Sequence, residues 1–224
     1  MKIRISLLLA LTLALSGCGQ AESTEDTWSD AVRIEFSDDS VTVDGNAASA
    51  DSAVYTENDI IFYLEGQGVT YGEGTEADAH SQAEADAHTV VHITQPGTYV
   101  LSGELSAGQI AVDLGEGAET DPEAVVTLVL DGVDITCTVA PAVMFYRVYE
   151  CGSTDGDAAS WEVDTSAAGA NIMIADGTEN TIRGSYVARI YDPESVTLSE
   201  DGTEVEDAKK LHKYDGAFYS RMSM

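Results

Sequence analysis

The chain has 224 residues, with 40 Asp and Glu against 10 Lys and Arg, and a formal net charge of −30. Residues 34 to 146 hold 21 acidic side chains and no Lys or Arg, which excludes a phosphate-rich partner such as nucleic acid or an anionic membrane surface, since these need clustered cations. That carboxylate density suits bulk solvation, or hard divalent cations such as Ca²⁺ held by oxygen ligands.

Lys2 and Arg4 form a basic start, residues 5 to 15 are almost wholly apolar, and Leu15-Ser16-Gly17-Cys18 follows. An apolar stretch of 11 residues is well short of the roughly 20 that a transmembrane helix needs, so residues 1–17 read as an export signal. The Leu-Ser-Gly-Cys tetrad resembles the lipobox of bacterial lipoproteins, and the resemblance implies lipidation of Cys18 and anchoring at the cell membrane, facing outward. Residues 18–31 are polar and acidic, as befits a flexible tether.

Residues 32–89 read as a small β-rich region, with short strands at Val32 to Phe36, Ser40 to Val43, Ala53 to Tyr55 and Ile60 to Leu64. Residues 76–88 are rich in Ala and Glu and predict a short helix or exposed loop. His80, Glu84 and His88 would share one helical face, a ligand set known from zinc and iron sites. There is no His-Glu-x-x-His motif, and two His eight residues apart stand about 12 Å apart along a helix, so a solvated face is the better reading.

From Val90 onward strand signals arrive with no helical period between them: Val90 to Ile93, Tyr99 to Leu101, Ile110 to Leu114, Val125 to Leu130, Ile172 and Ile174, and Val187 to Ile190. Asp-Gly recurs at Asp44-Gly45, Asp131-Gly132, Asp176-Gly177, Asp201-Gly202 and Asp215-Gly216, turn chemistry that ends each short strand. Such a series makes a sandwich, a barrel or a β-solenoid, and composition does not choose among them.

Ile93 to Leu105, Gly108 to Asp113 and Val126 to Ile135, with Ala170 to Ile182 and His212 to Ser220, resemble the exported bacterial carbohydrate-binding domain proteins. The resemblance covers about residues 90–224. It implies an all-β chain folded as a right-handed parallel β-helix of pectate-lyase-like shape, with cellulose or acidic pectic polysaccharide as partner and Ca²⁺ as the associated ion. Members of that family continue for several more coils, so residues 90–224 are expected to be the first coils only, and the chain a fragment or a short form.

Cys137 and Cys151 have 13 residues between them. In an exported protein such a pair reads as a disulfide, with two buried thiols on adjacent coils as the alternative. Asp113, Asp131, Asp134, Asp176 and Asp215 are the candidate Ca²⁺ ligands, each also readable as a turn residue. Tyr186, Tyr191, Tyr214 and Tyr219 are the aromatics placed to stack on sugar rings. No Gly-x-Ser-x-Gly, His-Glu-x-x-His, Walker or Gly-x-Gly-x-x-Gly pattern occurs, so no catalytic residue is assigned. A polysaccharide lyase or hydrolase, with Arg147, Arg183, Arg189, Lys209, Lys210 and Lys213 as available bases, and a structural surface spacer or adhesin are the alternatives to a binding role.

Overall fold

The computed structural model describes residues 28–58, 60, 72–73, 81–151 and 165–220. Cys18, His80, the strand expected at Ile60 to Leu64 apart from Ile60 itself, and the export signal lie outside them. In chain order the elements are β1 (Val32–Ser37), β2 (Ser40–Val43), β3 (Asn46–Ala47), β4 (Val54–Glu57), β5 (Gly72–Glu73) and a helix, α1 (Gln82–Asp86). There follow β6 (Thr89–Ile93), β7 (Gly97–Leu105), β8 (Gly108–Asp113), β9 (Val126–Thr136), β10 (Val143–Arg147), β11 (Ala170–Ile174) and β12 (Thr181–Arg183). The last are β13 (Tyr186–Tyr191), β14 (Thr197–Leu198), β15 (Val205–Asp207), β16 (Lys210–Asp215) and β17 (Phe218–Ser220). The chain is all-β with mixed sheets, and among the described residues no barrel closes.

Between β6 and β11 the chain alternates between two sheets. β6, β8 and β10 stack in parallel in the first, with β17 parallel on one edge and β4 antiparallel on the other. β7, β9 and β11 stack in parallel in the second, which β1 extends in parallel and β2 and β3 continue antiparallel. β1 to β4 therefore extend the two sheets of the later strands. A further sheet pairs β13 antiparallel with β16 and with β5.

Period-2 alternation sends every other side chain into the space between strands, and parallel register stacks like on like. Val91, Ile110 and Val143 form one inward row, and Ile93, Val112 and Phe145 the next, all at 0% exposure. In the second sheet Ile34, Leu101 and Leu130 are in register, as are Tyr99 and Leu128, and both sheets feed one buried cluster. Each such side chain contributes roughly 1.5–3 kcal/mol by leaving water. The rows run on to Ile172 and Ile174 of β11, in register with Leu128 and Leu130, yet these are 39% and 68% exposed.

Three of the five Asp-Gly pairs lie in turns, and Asp215-Gly216 straddles the end of β16. Asp44-Gly45 makes a two-residue hairpin between β2 and β3, with φ of 50° and 75°, the doubly left-handed geometry that favours this dipeptide. Asp131-Gly132 differs: it lies inside β9 and does not end it. Gly132 has φ of 81° and the strand bends there, while Asn180 Oδ1 accepts from the amides of Gly132 (3.0 Å) and Val133 (2.8 Å) and so ties the bend to the chain between β11 and β12.

The Ala-rich segment folds into α1, whose Ser81 side chain caps Glu84 N at 3.2 Å. His88 lies beyond the helix and is buried, which corrects the expectation of a solvated face. Its Nδ1 contacts Glu84 O at 2.8 Å, its Nε2 accepts from Thr138 N at 3.2 Å, and Thr138 Oγ1 donates to Glu84 Oε1 at 3.0 Å. The imidazole thus pins α1 to the segment after β9.

The expected disulfide is not formed: Cys137 and Cys151 are both free thiols. Cys137 follows the end of β9, where its amide donates to Arg183 O, whereas Glu150 N donates to Glu119 O before β9 begins. An 11-residue strand thus separates the two, at a rise of ~3.3 Å per residue, several times the ~6 Å Cα separation that a bridge needs. Cys137 is 2% exposed, and burial pushes its thiol up to about 11. Alkylation of the folded chain at pH 8 is expected to label Cys151 and spare Cys137, with both labelled once the chain is unfolded without reductant. Failure to label either thiol in the unfolded, unreduced chain would show that they are bridged.

Candidate functional site

The outer face of the first sheet carries one side-chain row across all five strands: Tyr55, His92, Ala111, Met144 and Tyr219 are successive register partners. Tyr55 and His92 stack, with ring centroids 4.6 Å apart and planes 9° from parallel. Ala111 offers only a methyl between His92 and Met144, and the surface sinks there into a cleft of about 540 Å³. Buried Gln109 fixes one flank by donating to Pro141 O at 2.7 Å and contacting Met144 Sδ at 3.2 Å.

The far wall depends on an irregularity. The register between β8 and β10 shifts after Phe145, so that Asp113 pairs with Arg147, two residues on from Phe145 where regular register would reach Tyr146. Such a bulge re-aims side chains. Tyr146 and Arg147 are consecutive, yet both line the cleft, and Val148 returns to 0% exposure.

Arg147 forms a bidentate pair with Asp113: Nε to Oδ1 and Nη2 to Oδ2, each at 2.5 Å, with the side chains 34% and 31% exposed. Asp113 Oδ1 also accepts from Gly115 N at 3.0 Å. The hydrogen bonds that Arg147 donates to Asp113 raise its pKa above the ordinary value, with Glu116 and Glu119 adding to the effect. The cleft thus combines aromatic faces, a fixed charged fork, Thr94 and a small apolar floor, a lining suited to a polar ligand with flat apolar faces.

Of the singled-out carboxylates whose side chains are described, Asp113 alone lines this cleft. Asp134 pairs with Arg183 at 2.8 Å on an exposed surface, Asp131 is half-buried at the bend of β9, and Asp176 is exposed in the turn after β11. Among the described residues no group of three or more His, Cys, Asp or Glu is placed to hold a metal ion. Of the tyrosines, Tyr219 is half-buried at the end of the aromatic row, and Tyr191 is 4% exposed and presents no ring face to solvent. The backbones of Tyr186, Tyr214 and Asp215 pair between β13 and β16, and their side chains lie outside the described residues. Arg147, Arg183 and Lys209 are each paired with a carboxylate, Lys209 with Asp192 at 3.7 Å.

The sequence reading missed Tyr55, His92, Gln109 and Tyr146. Tyr55, His92 and Gln109 sit in or next to strands that were legible, whereas no strand was expected at Val143–Arg147, which carries Tyr146; the parallel register that brings the four together was also missing.

A sequence profile described as "Carbohydrate-binding domain-containing protein" matches residues 87–210, more than half of the chain. The chain belongs to this family. A protein of the same description from Acetivibrio thermocellus is 32% identical over 104 residues, which cover 46% of this chain and 28% of that relative. The matched part is therefore well under half of the relative's length. No solved structure matches. In this member of the carbohydrate-binding domain family, the matched segment supplies His92, Gln109, Asp113, Tyr146 and Arg147, and β4 adds Tyr55 from outside it.

Proposed function

We propose that this chain is an exported, lipid-anchored polysaccharide-binding protein, and that the cleft on the outer face of the first sheet is its sugar site. The observation that carries the reading is the cleft's composition: Tyr146 and the Tyr55–His92 stack stand beside the Asp113–Arg147 fork over the small Ala111 floor. Pyranose rings stack their C–H faces on aromatic side chains while their hydroxyls bond to carboxylates and guanidinium groups. The alternation of β6 to β11 between two parallel sheets supports a reading of these strands as coils of a parallel β-helix, with the cleft on one lateral face. Such a face would let a polymer lie across several coils.

Calorimetric titration of the purified chain with neutral and acidic oligosaccharides tests this, with Ca²⁺ and then with EDTA, while the same mixtures are assayed for unsaturated or reducing-end products. Heat without product is the expected result. Tyr146→Ala should weaken the binding about tenfold, the equivalent of ~1.4 kcal/mol of lost stacking, with little change in stability. Unchanged affinity in that variant would place the sugar elsewhere. Absence of heat with every glycan would leave a spacer role.

A further inference from the structure

The charge arrangement of the cleft points to a ligand class, an inference that rests on the proposed sugar-binding role. A uronate carboxylate is recognised best by an unengaged guanidinium, which grips it with two parallel hydrogen bonds. Among the described residues the cleft has one guanidinium, and its Nε and Nη2 already grip Asp113 in that manner. Asp113 is held in place in turn, since its Oδ1 also accepts from Gly115 N. Glu116 and Glu119 add to the negative field around Arg147, so three carboxylates act on one cation. Among the described residues no Lys lines the cleft, and the other basic side chain there, His92, is stacked on Tyr55. An arriving uronate would meet net negative charge and a cation whose best hydrogen-bonding edge is taken. A neutral sugar meets no such repulsion, and the Nη1 amino group of Arg147, outside the pair, can donate to its hydroxyls.

We propose that the cleft selects neutral glycans and rejects uronates, with Asp113 as the residue that sets this choice. Asp113→Asn keeps the size of the side chain and an oxygen acceptor for Gly115 N, while it removes the charge that masks Arg147.

The test is titration of the full chain and of Asp113→Asn with cellohexaose, xylohexaose and hexagalacturonate, at pH 8 in EDTA and low salt, with thermal melts to check folding. In the unsubstituted chain at least one neutral hexasaccharide should bind more than about tenfold tighter than hexagalacturonate. Asp113→Asn should gain about tenfold for hexagalacturonate, and the gain should vanish with added salt. Equal or tighter binding of hexagalacturonate by the unsubstituted chain would overturn the charge selection and leave the sugar-binding role standing. A folded Asp113→Asn that gains nothing for the uronate would also overturn it. No binding of any hexasaccharide would overturn both.

Discussion

Gly103→Ala is expected to destabilise the fold by more than ~3 kcal/mol and to release the β1–β2–β3 segment from the second sheet. Gly103 has φ of 94°, and a Cβ built on it would lie 2.2 Å from the carbonyl oxygen of Phe36, a backbone atom with no rotamer through which to escape. The pairing of Phe36 with Gly103 is where β1 docks on β7, so relief of the clash must separate those strands and expose Ile34 and Phe36, now 0% and 3% exposed. Gly132→Ala is the control. It has a similar φ of 81° but nothing within 4 Å of the added methyl, so it bears only the left-handed strain of about 1–2 kcal/mol. Urea unfolding of both variants checks the argument: a midpoint loss for Gly103→Ala about twice that for Gly132→Ala is expected, and equal losses would mean that the contact with Phe36 is not rigid.

Phe145→Ala is expected to cost about 3–5 kcal/mol, the range for removing a fully buried aromatic ring whose cavity closes poorly. Phe145 is 0% exposed and completes the inward row with Ile93 and Val112. It is also the last residue of β10 in regular register with β8 before the bulge, so its packing sets where Tyr146 and Arg147 emerge. The variant should therefore lose glycan affinity as well as stability, whereas Tyr146→Ala should lose affinity alone. Thermal melts and the same titrations separate them. A stability loss below ~1 kcal/mol for Phe145→Ala would contradict the packing account.

Much of the strand content was legible because it depends on local pattern. The β-branched run Val90 to Ile93 and the alternation of Ile110, Val112 and Leu114 mark β6 and β8, and Asp44-Gly45 marks a turn by conformational preference alone. The same dipeptide at Asp131-Gly132 misled, because a left-handed residue can bend a strand as well as end one, and only the neighbouring chain around Asn180 decides which. The thiol pair misled in a related way: a separation of 13 residues reads as a short loop, but the chain between Cys137 and Cys151 runs back past the length of β9.

The site was less legible than the strands for one physical reason. It is assembled across strands, by register, from residues that are unremarkable in their own segments. Tyr55 lies 37 residues from its stacking partner His92, and Asp113 lies 34 from Arg147. The bulge that turns both Tyr146 and Arg147 outward leaves no mark in Val-Met-Phe-Tyr-Arg, since it arises from pairing with β8. Asp113 was singled out as a cation ligand, and the structure gives it a guanidinium partner from the adjacent strand.

The most direct test of sugar binding at this cleft is an experimental structure of the chain soaked with whichever oligosaccharide gives the strongest calorimetric signal. The account predicts a pyranose ring over Ala111, stacked on Tyr146 or on the Tyr55–His92 pair, with hydroxyls bonded to Arg147. Sugar bound on another face, with the cleft holding only water, would contradict it.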